Sequence, residues 1–219
     1  MCNGNTEIDI MTKAEIITFT IAILAITNPI GNLAIFASLT ANRSQEEKKR
    51  TAYVAAIAII IILLLVVWTG DLILRAFEIS ISAFETAGGM IIALMGLSML
   101  HAKTSEIHHS KDEHEEAKTK DSVAVVPIAI PIVAGPGAIT TIIVHTHDYV
   151  SIEDKLMYSG VCIGISLLLF IGFYFSAPVS RLLGVAGVNI VTRIMGIILA
   201  AIAFQMIGSG LQGLLPGLA

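Results

Sequence analysis

The chain has 219 residues, of which 55% are hydrophobic and only 14% charged, with a formal net charge of −4. A soluble domain carries about 25% charged residues, so this composition excludes an ordinary soluble fold. The acidic balance, with no basic face, argues against a nucleic-acid partner. Its two cysteines, Cys2 and Cys162, stand too far apart for a disulfide framework or a cysteine metal site.

In chain order, residues 1–15 carry acids and no basic leader, and are expected as an external N-terminus. Six runs then lack Asp, Glu, Lys and Arg: 16–42, 51–70, 86–102, 122–147, 156–180 and 194–219. Each is long enough to cross a hydrocarbon core about 30 Å thick. In lipid every backbone amide needs a partner within the protein, so runs of this length must be helices. The alternation of a membrane barrel is absent. The expected fold is an all-α integral membrane protein of six transmembrane helices. Residues 16–101 hold the first three, 102–122 a charged cytoplasmic loop and 123–219 the last three.

The first span reads Thr27-Asn28-Pro29-Ile30-Gly31-Asn32 at its centre, and the fourth reads Gly135-Pro136-Gly137-Ala138. Proline inside a helix removes a hydrogen bond and clashes with the preceding turn, at ~3 kcal/mol or more. The residue before it, Asn28 or Gly135, is pushed toward extended backbone, and proline suits the first position of a new helix. Each segment is therefore expected as two half-helices meeting near mid-membrane, with ordinary proline kinks as the alternative. Freed amides of Gly31, Asn32, Gly137 and Ala138 at positive helix ends would suit a carboxylate. Thr27, Asn28, Asn32, Thr140 and Thr141 add neutral hydrogen-bonding groups.

The two halves echo each other. Pro29 and Pro136 are 107 residues apart, Tyr53 and Tyr158 105, Arg75 and Arg181 106, and Gly89 and Gly196 107. Because each half has three spans, a second copy would enter the membrane inverted, an architecture recurrent among transporters. Ten of the 13 Lys and Arg fall in the loops after spans 1, 3 and 5. The positive-inside rule then puts those loops in the cytoplasm and both termini outside a cell (plasma or inner) membrane.

Other polar residues are weighed by position. Asp71 and Glu85 flank the short loop between spans 2 and 3; they are candidates for ion coupling, against a plain solvated loop. Arg193 opens the sixth span, facing either a carboxylate or headgroups. Gln205, mid-span, reads as a helix–helix hydrogen bond before a ligand. The segment His101–Asp121 holds four histidines, but its dense charge reads as a flexible loop rather than a metal site. His145, His147 and Asp148 read as a solvated turn before a proton or metal site. No catalytic motif is present, so no enzyme, cofactor or resident metal is expected.

Four stretches, NPIGNLAIF at 28–36, AGGMIIAL at 87–94, VPIAIPIVAGPGAI at 126–139 and GVNIVTRIMGIILAAIAFQM at 187–206, resemble the MarC family, also called the SnatA or small neutral amino acid transporter family. The resemblance covers both halves, although Ala34 stands where related sequences often have proline. It implies a secondary transporter of glycine, alanine and similar amino acids, coupled to protons and related to LysE-type exporters. It points to Asn28, Pro29, Gly31, Asn32, Gly135, Pro136 and Gly137 as the substrate and hinge region. An exporter or passive channel for another small solute is the alternative. Lipid and the amino acid are the expected partners; direction, coupling ion and homo-oligomerisation stay open.

Overall fold

The computed structural model describes residues 4–40, 43–100, 133–147, 151–215 and 217, with side chains from residue 14 onward except 177–183 and 185. Among these residues every regular element is a helix: α1 (Gly4–Thr27), α2 (Pro29–Leu39), α3 (Gln45–Ala76), α4 (Ile81–Leu100), α5 (Pro136–Thr146), α6 (Ile152–Tyr174) and α7 (Ser176–Leu214). The loop at 102–122 and residues 123–132, expected to begin the fourth span, lie outside the described residues.

Among the described residues, five stretches are long and apolar enough to cross a membrane: Ala14–Leu39, Gln45–Ala76, Ile81–Leu100, Ile152–Tyr174 and Ala186–Leu214. The first joins α1 and α2. By contrast α5, at 11 residues, rises only about 16 Å and reaches half-way.

The helices outrun the charge-free runs because caps, not charges, set their ends. Ser44 starts α3 with a capping box: its hydroxyl accepts from Glu47 N at 3.3 Å, and its own amide donates to Glu47 Oε2 at 2.7 Å. Ser151 starts α6, accepting from Asp154 N at 3.1 Å. Asp71 and Glu85 accordingly lie inside α3 and α4, not in a loop. Arg193, expected to open the sixth span, sits within α7, whose apolar stretch already begins at Ala186. The break before it is Gly184, at φ 59° and ψ 175°, a conformation natural only to glycine.

Two apolar faces on one helix identify the surrounding medium. Along α3, Ile59, Leu63 and Val67 are buried, while Ile57, Ile61, Leu65 and Leu72 on the other side are exposed. A helix hydrophobic all round belongs in a large core or in lipid. The core gathers Phe19, Ile23, Phe36, Ile92, Ile142 and Phe173 from five helices.

The helices pack in a paired pattern. α4 lies along α7 and α3 along α6; α2 packs on α6 and α7, while α5 packs on α3 and α4. The α4–α7 seam is the tightest. A Cβ on Gly96 would stand 2.9 Å from both the Gly196 oxygen and the Ala200 nitrogen, and one on Gly89 2.9 Å from the Ala203 oxygen. Only close backbone approach of this kind drives association where lipid is as apolar as leucine. Gly96→Val should therefore cost ~1–3 kcal/mol of overpacking strain, read as a lower melting temperature in detergent. Gly164→Ala, with nothing within 4 Å of its added carbon, should leave that temperature level or raised.

Candidate functional site

The first span breaks where the sequence places the break, but not in the expected way. Asn28 adopts φ 36° and ψ 68° rather than extended backbone. Asparagine tolerates this left-handed region because its side chain hydrogen-bonds locally. Here Oδ1 of Asn28 accepts from the amide of Gly31 at 3.2 Å, capping α2 with Pro29 at its first turn. At the second break Gly135 is extended, at φ −70° and ψ 178°, and Pro136 opens α5 with no side-chain cap.

That difference corrects the inventory of free amides. The Gly31 amide goes to Asn28 Oδ1, and the Asn32 amide donates to the Asn28 carbonyl at 3.0 Å. Asn32, 6% exposed, also donates through Nδ2 to the Thr27 carbonyl. At α2, the Gly31 and Asn32 amides are thus already taken. At α5, the amides of buried Gly137 and Ala138 have no partner among the described residues. The hydroxyls divide similarly. Thr27 donates to Ile23 O at 2.8 Å and Thr140 to Pro136 O at 2.9 Å. Thr141 Oγ1, fully buried, has no partner among the described residues.

The two breaks meet. A Cβ on Gly137 would lie 3.5 Å from Ile26, 3.3 Å from Ile92 and 3.1 Å from Met95, and Thr140 fills the space beside Gly88. The start of α5 is thus wedged between the end of α1 and the glycine face of α4. Pro136 itself is exposed and Pro29 half-buried.

A cleft of about 410 Å³ opens toward the start of α1 and the far end of α7. Glu15 and Thr18 of α1, Glu85 of α4, His145 of α5, Tyr158 of α6 and Gln205 of α7 line it, with Ala22, Val144 and Met206 deeper in. Ser209 donates to Glu85 at 3.3 Å, and the His145 ring meets Thr141 O at 2.9 Å and leans on Phe19. The cleft stops short of the breaks, since none of the residues around Pro29 or Pro136 lines it. Thr141 lies one turn below His145, between cleft and break.

The two coupling candidates separate. Glu85 belongs to the cleft. Asp71 is held by Arg75 at 2.7 Å and lies 2.8 Å from His147 Nδ1, bringing α3 against the end of α5. Asp148 and the His101–Asp121 segment lie outside the described residues. Among the described residues no group of three or more His, Cys, Asp or Glu is placed to hold a metal ion. Sequence reasoning gave no site role to Glu15, Tyr158 or Ser209, and read Gln205 as a helix–helix hydrogen bond before a ligand.

Phe36 of α2 and Phe173 of α6 stack at 4.7 Å with a 7° interplanar angle, and both are buried.

Long apolar helices, two shorter ones opening on proline at a break, and apolar stripes on the outward faces define an all-α integral membrane protein. The model of the MarC family of integral membrane proteins matches residues 13–215. The chain belongs to that family. It is 40% identical over 202 residues to the UPF0056 membrane protein YvbG of Bacillus subtilis, covering 90% of this chain and 93% of that protein. It is 37% identical over 201 residues to YhcE of Escherichia coli, covering 91% and 93%, and 36% identical over 212 residues to BU267 of Buchnera aphidicola, covering 97% and 99%. No solved structure matches the chain.

Proposed function

We propose that this protein is a secondary transporter of small neutral amino acids, of the glycine and alanine class, working by alternating access across the cell membrane. The observation that carries the reading is the wedging of one interrupted span against the other: a Cβ on Gly137, at the start of α5, would stand 3.5 Å from Ile26, two residues before the Asn28 break. The amides of Gly137 and Ala138, without a partner among the described residues and at a positive helix end, offer the substrate carboxylate its place. Thr141 Oγ1 adds an uncommitted hydroxyl beside the path from the cleft.

The same features support a reading of six spans in two inverted repeats. α2 and α5 are both 11-residue helices opening on proline. Exchanging α2 with α5, α3 with α6 and α4 with α7 maps the contacts α2–α6 and α2–α7 onto α5–α3 and α5–α4. The α3–α6 and α4–α7 pairs map onto themselves. With Lys and Arg biased toward the loops after spans 1, 3 and 5, both termini and the cleft face outside. The Phe36–Phe173 stack then closes the cytoplasmic side.

A zwitterion gains nothing from membrane voltage, whereas one co-transported proton contributes ~2.3 kcal/mol per 100 mV, about a fifty-fold concentration ratio. Uptake of labelled glycine and alanine into proteoliposomes, with and without an imposed pH gradient, tests substrate and coupling together. Saturable uptake driven by an inward proton gradient is expected. Non-saturating flux without counterflow would mark a passive channel instead, and no flux of any neutral amino acid would end the assignment.

A further inference from the structure

We infer that the outer cleft is a loading site for a primary ammonium group, which receives the amino acid with its ammonium end outward before the carboxylate reaches α5; the inference rests on the transport reading above. Two carboxylates from separate helices, Glu15 and Glu85, line the cleft, and no Lys or Arg does among the described residues. Gln205 and Ser209 supply neutral oxygens, and Tyr158 is part of the wall.

The helix dipole gives the site a direction. α5 presents its C-terminal end to the cleft, through His145, and its N-terminal end to the buried break. The field is therefore negative at the mouth, where the glutamates add to it, and positive at the floor. A zwitterion aligned by this field leads with its carboxylate.

Spacing separates loading from final binding. α4 and α5 run antiparallel, with Gly88 beside Thr140 and Ile92 beside Gly137. Glu85 precedes Ile92 by seven residues, about 10 Å along the axis. That exceeds the distance between the two charges of one α-amino acid, so the Glu85 and Gly137 positions are occupied in succession. Residues of α1, α4 and α7 at the mouth thereby act before those of the breaks.

In proteoliposomes, Glu85→Gln and Glu15→Gln should each raise the KM for alanine tenfold or more at a nearly constant maximal rate, and Glu85→Asp should recover part of the loss. Ethylammonium should compete with alanine in the unaltered protein, and propionate should not. If the glutamates carry the coupled proton instead, the maximal rate and its response to a pH gradient will collapse at unchanged KM, which overturns the inference. A second readout needs no transport. In a Cys2→Ser background, Thr18→Cys should react at least ten times faster with a cationic than with an anionic methanethiosulfonate reagent of equal size. Adding Glu15→Gln and Glu85→Gln together should bring the ratio toward one. Equal rates without those changes overturn the inference. Charge-selective labelling in a protein that takes up no amino acid faults the transport reading alone and leaves the cation preference of the cleft standing.

Discussion

Replacing Asn32 with leucine should lower the initial rate of alanine uptake by roughly 10–100-fold while the protein still reaches the membrane. In an unbroken helix the Thr27 carbonyl would accept from the amide of Gly31, four residues on. That amide is instead spent on Asn28 Oδ1, and the Asn32 side chain takes its place at Thr27 O. Leucine matches asparagine in size but leaves the carbonyl unpaired in a buried position, at ~1–3 kcal/mol. Each 1.4 kcal/mol is a factor of ten in the population of the competent break. Asn28 supplies an internal ranking. Asn28→Ala loses the cap, at ~1 kcal/mol, and must also hold a left-handed residue at a further ~1–2 kcal/mol. Asn28→Gly loses only the cap and should stay closer to the unaltered rate. Normal uptake by the Asn32→Leu protein would show that the geometry of the first break is irrelevant to transport.

These two asparagines also show where sequence reasoning stops. The position of the break was legible, because proline in an apolar span has one consequence for the hydrogen-bond ladder. Its shape was not. The steric rule for a residue before proline favours extended backbone, and Gly135 obeys it. Asn28 departs from it because its own side chain can close the next helix. The choice between these outcomes depends on a contact three residues away. The expectation that the Gly31 and Asn32 amides lie free failed for the same reason.

Membrane spans were legible from the charge-free runs because the cost of a charge in hydrocarbon leaves little choice. Helix ends were not, since Ser44 and Ser151 start their helices among charges, outside the apolar runs. The cleft was the least legible part. Its lining runs from Glu15 to Ser209 across five helices, and which faces converge depends on approach distances set at Gly89, Gly96 and Gly196. The glycines are visible in the sequence; their partners, Ala203, Ala200 and Gly96, emerge only from packing.

Phe36→Ala should open the cytoplasmic side. The stack with Phe173 links α2, the movable half of a broken span, to α6, which is anchored along α3. Removing a buried phenylalanine costs ~3–5 kcal/mol, and this loss falls on the closed arrangement, where the rings touch, more than on one in which α2 has swung away. If about 2 kcal/mol of it is specific to the closed arrangement, the balance moves roughly thirty-fold toward inward-open. Leu33 reports the shift, being buried at 4% exposure and 3.5 Å from where a Cβ on Gly172 would stand. In inside-out vesicles, Leu33→Cys should react slowly with a membrane-impermeant thiol reagent, and at least ten times faster once Phe36→Ala is added. Uptake from the outer side should weaken in parallel, because fewer molecules hold the cleft open. Phe36→Leu, which keeps much of the buried volume, should fall between the two. Unchanged labelling of Leu33→Cys in the Phe36→Ala protein would mean that the cytoplasmic side is closed elsewhere, and that the stacked rings are packing rather than a gate.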